Sequence, residues 1–130
     1  MILRSANPAC KIQILTSKKH HDQEGISSPD DEYLQQWHRI SDQEPPETEI
    51  VIVGIESSGK SPIHDRWWLS KGGGLRIGTS FNSLGKTQDS SITRISGSEA
   101  EFLEIDVDQY LIYKKREYNS ERLRYLSFTL

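Results

Sequence analysis

The sequence predicts an α/β fold class, with a mixed β-sheet layered with helices. Three observations indicate this class. Residues 49–55 are hydrophobic and mostly β-branched without alternation, which is typical of a central strand buried on both faces. Two other stretches, one after Ser28 and one after Ser98, repeat apolar residues at helical spacing. Strands alternating with helices in this way favour a layered arrangement.

The elements are predicted in the order β-α-β-β-β-β-α-β. Residues 11–16 alternate apolar and polar side chains and form the first strand. A helix follows from Ser28 to about Ile40, because serine is a good N-cap and proline is tolerated in the first turn. Residues 17–28 and 42–48 are polar or contain prolines and are predicted loops. The expected buried face of the helix is formed by Tyr33, Leu34, Trp37 and Ile40.

The second half of the chain begins with two short strands joined by a glycine turn at residues 72–74. A strand at 92–95 precedes a helix that a capping box, Ser98 to Glu101, opens and that extends to about Tyr118. Residues 126–130 alternate and form the closing strand. The helix is expected to bury Leu103, Val107, Tyr110 and Leu111 and to carry Lys114, Lys115 and Arg116 in its last turns.

Length and composition predict a single domain over residues 1–130, with its core in 11–130. The net charge of −3 gives no global positive field, so phosphate recognition would depend on a local patch. Cys10 has no second cysteine to pair with, and no apolar run is long enough to span a membrane. We therefore expect a soluble, cytoplasmic protein without a membrane partner.

One group of residues could bind a tetrahedral anion. His64 and Arg66 are two residues apart in a predicted extended segment, which places both on one face. The antiparallel return after the glycine turn brings Thr79, Ser80 and Asn82 toward the same end. An imidazole nucleophile with a cation and hydrogen-bond donors suits phosphoryl transfer. The alternative is a purely structural role, in which His64 and the adjacent tryptophans fill the core and residues 79–83 form an ordinary turn.

These residues also resemble a known signature. His64-Asp65-Arg66, followed by Gly78-Thr79-Ser80-Phe81-Asn82, is similar to the H-x-K … G-[ST] … N motif of the phospholipase D superfamily. The resemblance implies a phospholipase D-like half-repeat and a phosphodiesterase, more specifically a nuclease, that acts through a phosphohistidine on His64. Arg66 and Asn82 would then bind the phosphate, assisted by Thr79 and Ser80, with no cofactor and no metal.

The superfamily uses two such motifs for each active site, and this chain has one. The resemblance therefore implies a homodimer, or a second half-domain, that completes the site. Arg66 stands where the motif has lysine, while Lys71 and Ser91 stand where acidic residues are usual. These departures leave open an alternative, a catalytically inactive module that binds nucleic acid or a protein partner.

A third hypothesis is nucleotide binding at Gly54–Ser61, which matches the phosphate-loop pattern G-x-x-x-x-G-K-[ST] after a strong strand. Such a loop must lead into a long helix whose N-terminus faces the phosphates. Residues 62–69 are bulky and aromatic, lack a helical stripe and run into three glycines. The pattern therefore favours a strand, a polar turn and another strand over a nucleotide site.

Overall fold

The computed structural model describes residues 10–19, 25, 28–78 and 91–130. In chain order its helices and strands are β1 (Ile12–Ser17), α1 (Pro29–His38), β2 (Thr48–Ile55), β3 (Arg66–Ser70), β4 (Gly73–Ile77), β5 (Ile92–Ile95), α2 (Gly97–Leu111), β6 (Glu117–Tyr118) and β7 (Glu121–Thr129). They belong to two compact units. Unit 1 comprises residues 1–62 and 114–130, and unit 2 comprises residues 63–113.

Unit 1 is built on a mixed sheet with the strand order β1-β2-β7-β6. β1 and β2 are parallel, whereas β7 is antiparallel to both of its neighbours. Ile50, Val51 and Val53 of β2 are 0% exposed, so side chains on both faces of this strand are buried. The prediction of a central, doubly buried strand is confirmed.

The helix α1 begins where the sequence predicts, with Ser28 as N-cap and Pro29 in its first turn, although the Ser28 side chain makes no capping hydrogen bond. Trp37 is buried and donates its indole N–H to the Gln43 backbone oxygen at 2.5 Å. Tyr33 meets Phe128 of β7 edge to face, with ring centroids 5.7 Å apart. This contact places α1 against the sheet and is the kind of aromatic pairing that stabilises a core.

Two of the helix residues expected to be buried are exposed instead: Leu34 is 37% and Ile40 is 44% accessible. Ile40 lies beyond the last helical residue, His38, and its N–H donates to the Trp37 carbonyl oxygen. The earlier end of the helix accounts for the exposure of Ile40. Leu34 lies within the helix, where its position is about 100° around the axis from Tyr33, away from the sheet.

The helix α2 ends at Leu111, seven residues before the predicted end at Tyr118. The amide N–H groups of Ile112 and Tyr113 both donate to the Asp108 carbonyl, and Lys114 then has a positive φ of 48°, which ends the helix. The prediction that Lys114, Lys115 and Arg116 occupy its last turns is wrong. These residues run beside β7, where Tyr125 Oη donates to the Lys115 carbonyl oxygen at 2.6 Å.

The hairpin from β6 to β7 turns at Asn119 and Ser120, whose φ values are 48° and 62°. Two successive positive φ values define the type I′ turn that matches the twist of paired strands. The hairpin extends the closing strand, which begins at Glu121 rather than at the predicted residue 126. The alternation of residues 126–130 predicted only the end of β7.

Unit 2 is an antiparallel sheet of order β3-β4-β5 with α2 packed on one face. The N-cap of α2 is Ser96, whose hydroxyl accepts the Glu99 backbone N–H, so the predicted cap at Ser98 is wrong by two residues. The predicted apolar stripe is inward: Tyr110 and Leu111 are buried, and Leu103 and Val107 are half-buried.

The general α/β class is confirmed, but the strands form two sheets rather than the one sheet that we predicted. The bounds of the predicted loops shift slightly, since Ser17 ends β1 and Thr48 begins β2. The single domain over 1–130 and the phospholipase D-like half-repeat stay predictions. Among the described residues, no helix is long and apolar enough to cross a membrane.

Candidate functional site

The hairpin of β3 and β4 forms the framework of the candidate site. Its two strands are antiparallel, as predicted, and pair from Arg66 opposite Ile77 to Ser70 opposite Gly73. Gly73 and Gly74, which the sequence placed in the turn, are the first residues of β4. Gly72 in the turn has a φ of 95°, in the left-handed region that favours glycine. The Ser70 hydroxyl donates to the Gly73 carbonyl oxygen at 3.3 Å and closes the turn. The glycine turn therefore has the antiparallel geometry that the sequence predicts.

His64 lies outside the hairpin. The strand begins at Arg66, and residues 63–65 have no regular secondary structure, so the predicted placement of His64 on the same strand face as Arg66 is wrong. Both side chains are exposed, which also argues against the alternative that His64 fills the core. Within the described part of the chain, neither side chain forms an ion pair or a side-chain hydrogen bond that would fix its orientation.

The other predicted site residues, Thr79, Ser80 and Asn82, lie outside the described residues. Their roles stay predictions. The described chain stops at Gly78 and resumes at Ser91, and the Gly78 N–H donates to the Ser91 carbonyl oxygen at 3.0 Å. Ile77, the strand partner of Arg66, immediately precedes this link. In residues 10–19, 25, 28–78 and 91–130, no group of histidine, cysteine or acidic residues is arranged to hold a metal ion.

The register of unit 2 divides its sheet into two chemically different faces. Paired residues in neighbouring antiparallel strands share a face, and successive residues alternate. Trp67 is opposite Arg76, and Arg76 approaches Glu99 of α2 to 3.3 Å, so this inner face carries the helix. Leu69 and Ile95 lie on the same face, with Ile95 buried.

The indole nitrogen of Trp67 is a feature of this inner face. It is buried and has no hydrogen-bond partner among the described residues. A buried donor without a partner carries a desolvation cost of about 1–3 kcal/mol. The strand register places Trp67 on the face that carries α2, opposite to Trp68.

The opposite side, here called the outer sheet face, points away from α2. Its residues are Arg66, Trp68, Leu75, Ile77, Ile92 and Arg94. Trp68 is 41% and Ile92 is 52% exposed, and both arginines are exposed, whereas Ile77 is buried. Lys71, at the tip of the hairpin, is exposed as well. Aromatic, aliphatic and cationic groups are thus displayed together.

Sequence reasoning missed the outer sheet face, although one signal for it was available. Trp67 and Trp68 are adjacent in a strand, so their side chains must point to opposite faces of the sheet. Only one of the two can lie under a single covering helix. The contribution of Arg94 could not be found in this way, because it depends on the register between β4 and β5.

The phosphate-loop match at Gly54–Ser61 forms a closed turn. The N–H groups of Ser58 and Gly59 both donate to the Ile55 carbonyl oxygen, and the Ile55 N–H donates to the Lys60 carbonyl oxygen. These amides are occupied within the turn, whereas a phosphate loop directs such groups at its ligand. Residues 59–65 contain no helix. The predicted strand, polar turn and strand are confirmed here, and the geometry lacks both features of a nucleotide site.

The first glycine of that match has a structural reason. A Cβ on Gly54 would lie 2.7 Å from the Gly59 carbonyl oxygen and 2.6 Å from Lys18 Cβ. Gly59 has a φ of 67°. Both glycines are required for the turn to close on the end of β2, independently of any ligand.

Comparisons of this chain with protein-family models, with curated proteins and with solved structures found no match. The phospholipase D resemblance therefore stays a hypothesis based on residues 64–82.

Proposed function

We propose that this protein binds single-stranded nucleic acid, without reading its sequence, on the outer sheet face of unit 2. The observation that carries the proposal is Trp68, which is 41% exposed on the face that also displays Arg66 and Arg94. Proteins that bind single strands combine aromatic side chains, on which bases stack, with cations that track the phosphates.

The spacing on the outer sheet face suits this combination. Arg66 is two residues from Trp68 along β3, roughly 7 Å, and Arg94 is two strands away from Trp68 in the same row, roughly 10 Å. A base stacked on the indole would therefore have its backbone within reach of long cationic side chains on either side. Single strands fit such a surface better than a duplex, whose bases are not available for stacking.

The segregation of charge within unit 2 supports the same proposal. α2 contains five acidic residues and no lysine or arginine. The outer sheet face has two arginines and no acidic residue among its members. Within unit 2 the five acids of α2 are therefore separated from the two arginines of the outer sheet face, and the net charge of −3 does not exclude a local basic surface there.

Binding to a fluorescein-labelled oligothymidylate, measured by fluorescence anisotropy, tests this function. Loss of one base stack costs about 1–3 kcal/mol, so Trp68→Leu should weaken binding about 5- to 150-fold, while Trp68→Phe should retain most of it. Arg76→Gln is the matched control for Arg94→Gln, because it removes the same charge from the inner face. Equal binding by wild type and Trp68→Leu would refute the proposal.

A second candidate is phosphodiester hydrolysis at His64. It is supported by the exposed imidazole, two residues before an exposed cation, and by the resemblance to the phospholipase D motif. The imidazole nitrogen would attack phosphorus and displace the alcohol, and water would then cleave the phosphohistidine. A partner's second histidine would protonate the leaving oxygen.

The test is release of nitrophenol from bis(p-nitrophenyl) phosphate in the presence of EDTA. Activity that disappears in His64→Ala but persists in His38→Ala, which changes a histidine at the end of α1 in unit 1, would support the enzyme. Inactivity of the wild type, together with intact oligonucleotide binding, would leave the binding module alone.

A further inference from the structure

The outward side of α2 is more apolar than a solvent-exposed helix requires. Phe102 is 73% and Ile105 is 60% exposed, and they are three residues apart, so they lie side by side. Exposed Glu101 and Asp106 flank this pair, one on each side of the helix surface. We call these four residues the outer helix face.

We propose that the outer helix face of one molecule docks on the outer sheet face of a second copy of this chain. The chemistry of the two surfaces is complementary. One displays two apolar side chains between two acids, and the other displays Trp68 and Ile92 between two arginines. A second copy is therefore a partner whose charges and apolar groups both match.

The spacing of the charges also matches. Arg66 and Arg94 are at opposite corners of the outer sheet face, two strands and two residues apart, which corresponds to roughly 12 Å. Glu101 and Asp106 are five residues apart on α2, and their rise and rotation place the side-chain ends roughly 12 Å apart. The two charged and two apolar residues of each face lie at the corners of a quadrilateral, and the charged pair occupies one diagonal. The apolar pair occupies the other diagonal, Trp68 and Ile92 on the sheet and Phe102 and Ile105 on the helix. Both salt bridges can therefore form around one apolar contact.

Such a contact joins two different surfaces, so a pair of copies still has one outer helix face and one outer sheet face unoccupied. Contacts of this kind extend into open chains unless the rotation closes a ring. The area is also limited, since four side chains on each copy bury well under the ~1,200 Å² of a stable interface. We expect weak association that rises with protein concentration and falls with salt.

The contact does not require nucleic acid, but the two ligands would compete for the outer sheet face. Under the proposed function, a saturating oligothymidylate should reduce the assemblies to single copies. The self-association is tested without any oligonucleotide, so failure of one proposal can be distinguished from failure of the other.

Two charge-reversed variants test the contact by light scattering. The sheet variant carries Arg66→Glu and Arg94→Glu, and the helix variant carries Glu101→Lys and Asp106→Lys. Each variant should be monomeric alone, because its outer sheet face and its outer helix face then carry charges of the same sign and repel each other. All four residues are exposed, and circular dichroism verifies the fold of each variant.

The decisive sample is an equimolar mixture of the two variants. In the mixture, the intact helix of the sheet variant can dock on the intact sheet of the helix variant. The reversed sheet of the first can likewise dock on the reversed helix of the second, because both of its charge pairs are exchanged. The mass of the mixture should therefore rise with concentration as the wild-type mass does, while each variant alone stays monomeric at the same concentration. Glu104→Lys, which changes an exposed acid on α2 outside the outer helix face, should behave as wild type.

Two outcomes would overturn the proposal. One is a wild-type protein that stays monomeric into the millimolar range. The other is a mixture that stays monomeric while wild type associates, because association would then use a different surface. Phe102→Ser provides an independent check, since it removes the central apolar contact without changing charge and should abolish growth of the wild-type mass.

Discussion

The salt dependence of oligonucleotide binding gives a quantitative test of the outer sheet face. For single strands, the logarithm of the affinity falls with the logarithm of salt concentration by about 0.7 for each phosphate neutralised. Three exposed cations lie on or beside this face: Arg66, Lys71 and Arg94. The expected slope is therefore about −2.1, so raising salt from about 50 to about 200 mM should weaken binding about 18-fold.

Arg94→Gln should reduce the slope to about −1.4, which corresponds to an approximately 7-fold loss over the same range. Fluorescence anisotropy titrations at four salt concentrations measure the slope for wild type and variant. Arg76→Gln, on the inner face and paired with Glu99, should keep the wild-type slope. An unchanged slope in Arg94→Gln, or the same reduction in Arg76→Gln, would refute the assignment of phosphate contacts to the outer sheet face.

Two further predictions concern unit 1. Gly54→Ala should lower the free energy of unfolding by about 1–3 kcal/mol in urea titrations, because its Cβ would clash with the Gly59 backbone, whereas Lys60→Ala at an exposed position should not. Equal stability of wild type and Gly54→Ala would contradict this reason for the glycine. Burial raises the pKa of the Tyr33 phenol above its ordinary value of 10.0. Above that pH the unfolded chain loses this proton before the folded chain does, so stability should fall as pH rises, and Tyr33→Phe should show a smaller decline. Identical declines of the free energy of unfolding for wild type and Tyr33→Phe, measured by chemical unfolding between about pH 9 and about pH 11, would contradict this prediction.

Local patterns in the sequence predicted those elements whose structure is determined locally. The β-branched run of β2 identified a buried central strand, and the glycines after Lys71 identified the turn of the β3–β4 hairpin. The closed turn after β2 was also predicted, because bulky residues followed a motif that needs a helix. In each case a few adjacent residues carry the physical cause.

The failures have physical causes that a local pattern does not contain. The end of α2 depends on Lys114 adopting a positive φ, for which glycine is the usual signal and is absent. The division of the strands into two sheets depends on pairing between distant segments, such as Val53 with Tyr125. His64 was placed on β3 by assuming that the strand began two residues earlier than it does.

The two units also differ in how the gene encodes them. Unit 2 is one uninterrupted stretch, residues 63–113. Unit 1 is assembled from two stretches, which are joined by the pairing of β2 in the first with β7 in the second. Two crossovers, one directly after the codon for Pro62 and one directly before the codon for Lys114, can therefore exchange the whole of unit 2 while every strand of unit 1 keeps its partner. The outer sheet face would be inherited in one piece by such an exchange.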